Sequence, residues 1–236
     1  MEVVIPVYNE EKDLSRCIRV LHSFLNEHLT DRPWRILIAD NGSTDATLQI
    51  AAQLSRGYPD PEVAFIHLPV KGRGRALKQA FLQGQAGILS YMDVDLATGL
   101  EAFPQLLRAL DEGYDIAIGS RYLAGSRIRR TFSRRLYSWG YNLLFRALFR
   151  TRVRDAQCGF KAMKGAAARD ILPKVKDTGW SFDTELLLRA EKKGYRIKEI
   201  PVEWHEDPES KVRIPGTILR MLRVLLKLRW ELWRGG

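Results

Sequence analysis

The stretch Tyr91-Met92-Asp93-Val94-Asp95-Leu96-Ala97 closes an apolar run, "GILSYMD" (87–93), with two carboxylates one residue apart. Charge at the end of a buried strand is costly unless something compensates it. A surface turn, an N-cap for the helix near Glu101 or a cation site would each do so. The elements around the pair decide what kind of sheet it belongs to. "EVVIPV" (2–7) is short, β-rich and continuous, as in a strand covered on both faces. A helical pattern over 10–29 follows, with Cys17, Ile18, Leu21 and Leu25 on one side. "WRILIAD" (34–40), "VAFIHL" (63–68) and "DIAIGS" (115–120) read as further strands. Helices are predicted near 43–54, 73–83 and 101–111, the first opening on the cap residues Ser43 and Thr44. Strands alternating with helices imply an α/β domain with a largely parallel sheet and helices on both faces. Ligands of such sheets bind beyond the carboxyl ends of the strands, where Asn9, Asp40 and Asp93 fall. The acids therefore rim a cleft.

The chain has 236 residues, 45% apolar and 28% charged, and reads as one globular domain over 1–236. No run approaches the ~20 apolar residues of a membrane span. The start has no basic lead-in of the signal-peptide kind. Two cysteines, Cys17 and Cys158, make no disulfide framework, so a cytoplasmic setting is expected. The net charge of +10 is local: residues 127–154 hold nine arginines and no acid, and 211–236 hold seven basic residues against Glu231. Those segments carry +9 and +6, leaving about −5 elsewhere, so one surface meets something anionic.

Each motif has an ordinary reading when taken alone. "PVYNEE" (6–11) is a strand-to-helix turn with Asn9 as cap, and "ADNGSTDAT" (39–47) is turn and cap chemistry apart from Asp40. "KGRGRAL" (71–77) is a basic Gly-rich stretch before a helix, a seat for a diphosphate. It matches neither the Rossmann nor the P-loop fingerprint. Together with Asp93 and Asp95 these sites suit a nucleotide with a bridging Mg²⁺ or Mn²⁺. His22, His28, His67 and His205 do not cluster as ligands and read as structural or solvent-exposed.

The whole chain resembles the family 2 inverting glycosyltransferases of GT-A fold, and within them the polyprenyl-phosphate hexose synthases. The resemblance is carried by "VVIPVYNE" (3–10), "ADNGSTDAT" (39–47), "KGRGRAL" (71–77), "MDVDL" (92–96), "GSRY" (119–122), "DAQCGFK" (155–161) and "WSFDTELL" (180–187), in order across some 180 residues. The last two are closer to the dolichyl-phosphate glucosyltransferase branch than to the mannose branch. The resemblance implies that Pro6, Tyr8, Asn9 and Glu10 contact base and ribose, and that Asp40 hydrogen-bonds the base edge. It implies that Lys71 and Arg75 lie near base and diphosphate, that Asp93 meets ribose or metal, and that Asp95 is the direct metal ligand. Arg121 and Arg135 resemble a clamp for the acceptor phosphate, and Asp183 and Glu185 lie near the acceptor side or serve as helix N-terminal acids. The mannose synthases have a metal-completing Gln where this chain has Ala97.

The implied reaction is hexose transfer, with inversion, from a nucleotide-diphospho-sugar to a polyprenyl phosphate. UDP-glucose ranks first as donor and GDP-mannose second. The basic segment 129–150 carries Phe132, Trp139 and Phe145. The last helix, 214–234, sets Arg213, Arg220, Arg223, Lys227 and Arg234 against Ile214, Ile218, Leu222, Leu225 and Leu232. Both suit docking on the cytoplasmic face of an anionic membrane, with a helix packed on the domain as the plainer reading. A nucleic-acid binder leaves the acids at three strand tips unexplained, since they would repel a phosphate backbone. A soluble nucleotidyltransferase wants a basic Gly-rich stretch near the N-terminus. A soluble family 2 transferase acting on polysaccharide or glycolipid shares the donor site without needing the arginines.

Overall fold

The computed structural model describes residues 1–129, 132–179, 181–205 and 225–231. A seven-stranded sheet runs in the order β3-β2-β1-β4-β7-β5-β8, from β1 (Glu2–Val7), β2 (Arg35–Asn41), β3 (Val63–Leu68), β4 (Ile88–Met92), β5 (Ile116–Ser120), β7 (Phe160–Lys164) and β8 (Ile197–Pro201). A two-stranded sheet pairs β6 (Arg127–Arg129) with β9 (Glu203–His205). The helices are α1 (Leu14–His28), α2 (Thr47–Gly57), α3 (Arg73–Gln83), α4 (Phe103–Asp111), α5 (Phe132–Phe149), α6 (Gly165–Ile171) and α7 (Phe182–Lys192), and residues 225–231 are also helical.

β1 to β5 appear where continuous apolar runs place them, within a residue or two. The central strands are buried on both faces, the pattern of a covered parallel sheet. One departure matters: β7 lies antiparallel between β4 and β5, pairing Met92 with Phe160 and Ile118 with Lys161. Because β7 runs backwards, it is its start that lies beside the carboxyl ends of its neighbours. α2 begins at Thr47 rather than near Ser43, because Asp45 takes the Thr47 amide at 3.0 Å while Ser43 and Thr44 bond to Asn9.

Alternate strand residues feed two cores. One joins Val3, Ile5, Ile38 and Phe160 to α1 and α4; the other joins Val4, Leu37, Tyr91 and Met163 to α3, α6 and α7. Phe145 of α5 and Leu225 and Leu228 of the terminal helical segment join the second core, so both segments are anchored on the domain. Most of the 214–234 stripe, including Trp233, lies outside the described residues, as does Trp180. Among the described residues no helix is long and apolar enough to cross a membrane.

Candidate active site

The turns after β1 and β2 lock together. Asn9 adopts φ +56°, a left-handed conformation that Asn tolerates better than most residues. Its amide donates to Ser43 Oγ at 3.0 Å, and its Oδ1 accepts from the Thr44 amide at 2.8 Å. The Glu10 amide donates to Thr47 Oγ1 at 2.8 Å. Asn41, 3% exposed, donates to the Val7 carbonyl at 2.6 Å and accepts the Gly72 amide at 3.0 Å, so it ties both strand tips to the Gly-rich loop. That bond also occupies one amide that a diphosphate could have used. Lys71 is exposed and sits over the Tyr8 ring, 3.5 Å from its centroid, while Arg75 is half-buried and Pro6 is buried within β1. Asp40 is fully buried: His67 Nδ1 donates to its Oδ2 at 2.6 Å. The carboxylate proposed for base reading is therefore turned onto a histidine, with His67 the exposed member of the pair.

The Asp-x-Asp pair forms a tight turn at the end of β4. The Leu96 amide donates to the Asp93 carbonyl at 3.1 Å, the Ala97 amide to Asp95 Oδ1 at 2.9 Å, and Leu96 has φ +51°. Residues 97–99 are held by β9, through His205 N to Ala97 O at 2.8 Å and Gly99 N to Glu203 O at 3.0 Å. Asp95 is exposed. The Asp93 side chain is 42% exposed, and its Oδ1 accepts from Arg73 Nη2 at 2.7 Å and Nε at 3.2 Å. Its Oδ2 rests on Gly159, where a Cβ would fall 1.8 Å away, so only glycine permits this approach.

Beneath the turn lies a buried ionic cluster. Arg73 Nη1 donates to Asp183 Oδ2 at 2.7 Å, and Lys161 Nζ to Asp183 Oδ1 at 2.8 Å. Tyr91 Oη also donates to Asp183, and Lys161 Nζ also donates to the Cys158 carbonyl. Lys161 is 0% exposed and Asp183 3%. Burial disfavours the Asp183 carboxylate, but Lys161 and Arg73 outweigh it and hold its pKa below the usual range. The same burial and the adjacent Asp183 push the Tyr91 phenol well above its usual value. Asp183 is thus a fixed anion under the cleft floor, ill suited to proton transfer. Glu185 turns away, accepting the Lys176 and Asp177 amides at 3.0 and 2.8 Å and pairing with Arg189 at 2.7 Å.

A second buried pair follows β5. Arg121 meets Asp155 in a fork, Nε to Oδ2 at 2.7 Å and Nη2 to Oδ1 at 2.9 Å, with the Arg121 amide on Oδ2 at 3.0 Å. Burial raises the Asp155 pKa, but Arg121 more than reverses this and leaves the group a carboxylate of lowered pKa. Glu199 of β8 fixes the loop by accepting the Arg154 and Asp155 amides at 3.0 and 3.1 Å. The Arg121 guanidinium also lies 5.5 Å from the Trp204 ring. Arg135 falls in the first half of α5; its side chain is outside the described residues.

Of the expected residues whose side chains are described, all but Glu185 gather at the carboxyl end of the sheet, with Asp40 and Asp183 buried beneath the surface. Arg73, Tyr91, Lys161, Asp155, Asn41 and His67 complete the site beyond them. Arg73 was open to detection: with Ala76, Leu77 and Ala80 it falls on the inward face of α3 by helical spacing. No group of three or more acids, histidines or cysteines gathers as a metal cluster among the described residues. The donor set fits a hard divalent ion held by one or two carboxylates and completed by phosphate oxygens, with exposed Asp95 and half-exposed Asp93 as the carboxylates.

Residues 2–172 match the family described as Glycosyl transferase family 2. The chain belongs to that family. Glycosyltransferase AglD of Haloferax volcanii is 35% identical over 234 residues, covering 98% of this chain and 37% of that protein, so the chain spans little more than a third of that relative. The dolichyl-phosphate beta-glucosyltransferase of Saccharomyces cerevisiae is 31% identical over 250 residues (97% and 74% of the two chains). The polyprenol monophosphomannose synthase of Mycolicibacterium smegmatis is 32% identical over 225 residues (92% and 82%). The fold is shared with glucosyl-3-phosphoglycerate synthase from Mycobacterium tuberculosis in complex with uridine-diphosphate, at TM-score 0.68 and 21% identity, covering 97% of this chain and 79% of that one. The α/β sheet read from the sequence is thus the GT-A architecture.

Proposed function

We propose that residues 1–236 act as a single transferase domain that moves a hexose from a nucleotide-diphospho-sugar to a polyprenyl phosphate, inverting the anomeric carbon. The observation that carries this reading is the pairing, at one end of the sheet, of an exposed two-carboxylate turn with an arginine fixed by its own buried acid. The names of the yeast and mycobacterial relatives support the same acceptor class. UDP-glucose is the favoured donor and GDP-mannose the second, on "DAQCGFK" and "WSFDTELL" together with the yeast relative's name.

The Tyr8 ring and Lys71 offer a stacking surface and a cation for the nucleotide. Mg²⁺ or Mn²⁺ held by Asp95 and Asp93 would neutralise the departing diphosphate. The acceptor phosphate is anionic at neutral pH and needs orientation rather than a base. Arg121, kept rigid by Asp155, and Arg135 would supply bidentate contacts. Asp183 acts through Arg73 and Lys161 by holding the floor of the cleft. Docking on the cytoplasmic membrane face would use α5, which exposes Leu143 (53%) and Leu144 (40%), and the 225–231 helix, which exposes Leu226 (61%) and Trp230 (52%).

The test is a panel of radiolabelled UDP- and GDP-sugars with polyprenyl phosphate in anionic vesicles and Mg²⁺ or Mn²⁺. Label should enter the organic phase, most of it from UDP-glucose. Label confined to a water-soluble polymer, or no transfer to lipid from any donor, would reject the reading.

A further inference from the structure

Arg73 opens α3, and two contacts fix its backbone. A Cβ on Gly74 would fall 2.5 Å from Phe182 Cβ, so the first turn of α3 is pressed against the first turn of α7. The Arg75 amide donates to the Thr178 carbonyl at 3.2 Å. From that root the Arg73 side chain, 12% exposed, spans from Asp183 to Asp93 with three donated bonds. Asp183 is itself held by Lys161 and Tyr91, so the guanidinium is anchored from the buried side. Its charge therefore lies against the first acid of the Asp-x-Asp turn.

We infer that Arg73 is a resident cation for Asp93: it positions that carboxylate and weakens its pull on a divalent ion, so the ion enters with the nucleotide diphosphate rather than ahead of it. The inference rests on the reading of Asp93 and Asp95 as the metal-binding acids. Paired with Arg73, Asp93 adds no net formal charge to the turn, and oxygen-seeking divalent ions bind in proportion to ligand charge. Attraction falls accordingly at the low effective dielectric of a partly buried site. The diphosphate restores the missing negative charge, which makes Asp95 the dominant protein ligand and Asp93 a spectator toward the bare ion.

Mn²⁺ binding, read by loss of the free-ion electron paramagnetic resonance signal, tests this without any turnover. Wild type, Arg73→Gln, Arg73→Lys and Asp95→Asn are titrated with and without UDP. Wild type should bind Mn²⁺ about tenfold or more tightly with UDP than without. Arg73→Gln should tighten binding without UDP several-fold, and Arg73→Lys should behave as wild type. Without UDP, Asp95→Asn should lower affinity strongly; this variant and the wild-type comparison leave the Asp183 anchor intact if Arg73→Gln fails to fold. The inference is overturned if UDP leaves wild-type affinity unchanged, if folded Arg73→Gln binds no more tightly than wild type, or if Asp95→Asn binds as tightly as wild type. Absence of Mn²⁺ binding in every arm, with transfer activity surviving excess EDTA, would instead overturn the metal reading beneath it.

Discussion

Replacing Lys161 with methionine removes one of two cations that hold Asp183 while keeping the length and volume of the side chain. No cavity opens, so the cost is electrostatic. Lys161 is fully buried and contributes a 2.8 Å ion pair and a bond to the Cys158 carbonyl. Stripping a partner from a buried charge costs about 3–5 kcal/mol. Arg73 and Tyr91 still hold Asp183, which favours the low end, and the orphaned carbonyl adds about 1–3 kcal/mol. A loss of about 4–6 kcal/mol is therefore expected, near 8–24 °C in Tm at about 2–4 °C per kcal/mol for a domain of this size. Urea unfolding of both proteins at pH 7 measures it. The pH dependence has a definite sign. In the wild type the depressed Asp183 pKa stabilises the fold above the unfolded value near ~3.9, and that contribution fades as pH falls through the folded pKa. In the variant the foremost charge lowering that pKa is gone, so Asp183 takes up a proton at higher pH and the penalty is relieved. The gap between the two proteins should narrow from pH 7 toward pH 4. A difference below ~1 kcal/mol at pH 7, or a gap that widens toward acid, would refute the view of Lys161 as the chief partner of Asp183.

Two further outcomes follow from the same geometry. Asp95→Ala should unfold at the wild-type urea concentration, because Asp95 is exposed, yet lose on the order of 10²–10³ in kcat; near-normal turnover would remove Asp95 from the metal role. Asp155→Asn frees Arg121, so KM for the lipid phosphate should rise about tenfold or more on losing a bidentate, charge-assisted anchor. Its stability should also lose the acid limb that Asp155 supplies, a contribution present above the unfolded pKa near ~3.9 and lost as pH falls through the lowered folded value; unfolding curves at pH 7 and pH 3 check this.

Strands β1, β2, β4 and β5 were legible because a strand covered on both faces is a continuous apolar run; the edge strand β3 was legible as a short β-rich run although its Phe65 and His67 are exposed. β7 was not, because "FKAMK" places a lysine at its second position and reads as surface. Asp183, 22 residues onward, is the acid paired with Lys161 inside the protein. The Asp183 position at a helix start was readable; its role as a hub was not, since Tyr91 and Arg73 lie 92 and 110 residues away in sequence. The same holds for Arg121, whose basic character was plain while its acid, 34 residues on, was just part of a motif. Local pattern reveals which face a residue takes. Long-range ion pairs appear once the sheet order is known.

The reversed direction of β7 governs how this protein could be remodelled. In a uniformly parallel sheet every segment that follows a strand opens onto the ligand side, and grafting new chemistry means lengthening those segments. Here the rule inverts at one strand: residues 155–159, which enter β7, border the cleft, while Lys164, where β7 exits, sits beside Ile88 at the opposite end. Insertions after β7 can accumulate without touching the reaction, whereas one added residue before it would shift Gly159 against Asp93 and Asp155 against Arg121 together. The two-carboxylate turn and the buried arginine are thereby tied to a single short loop.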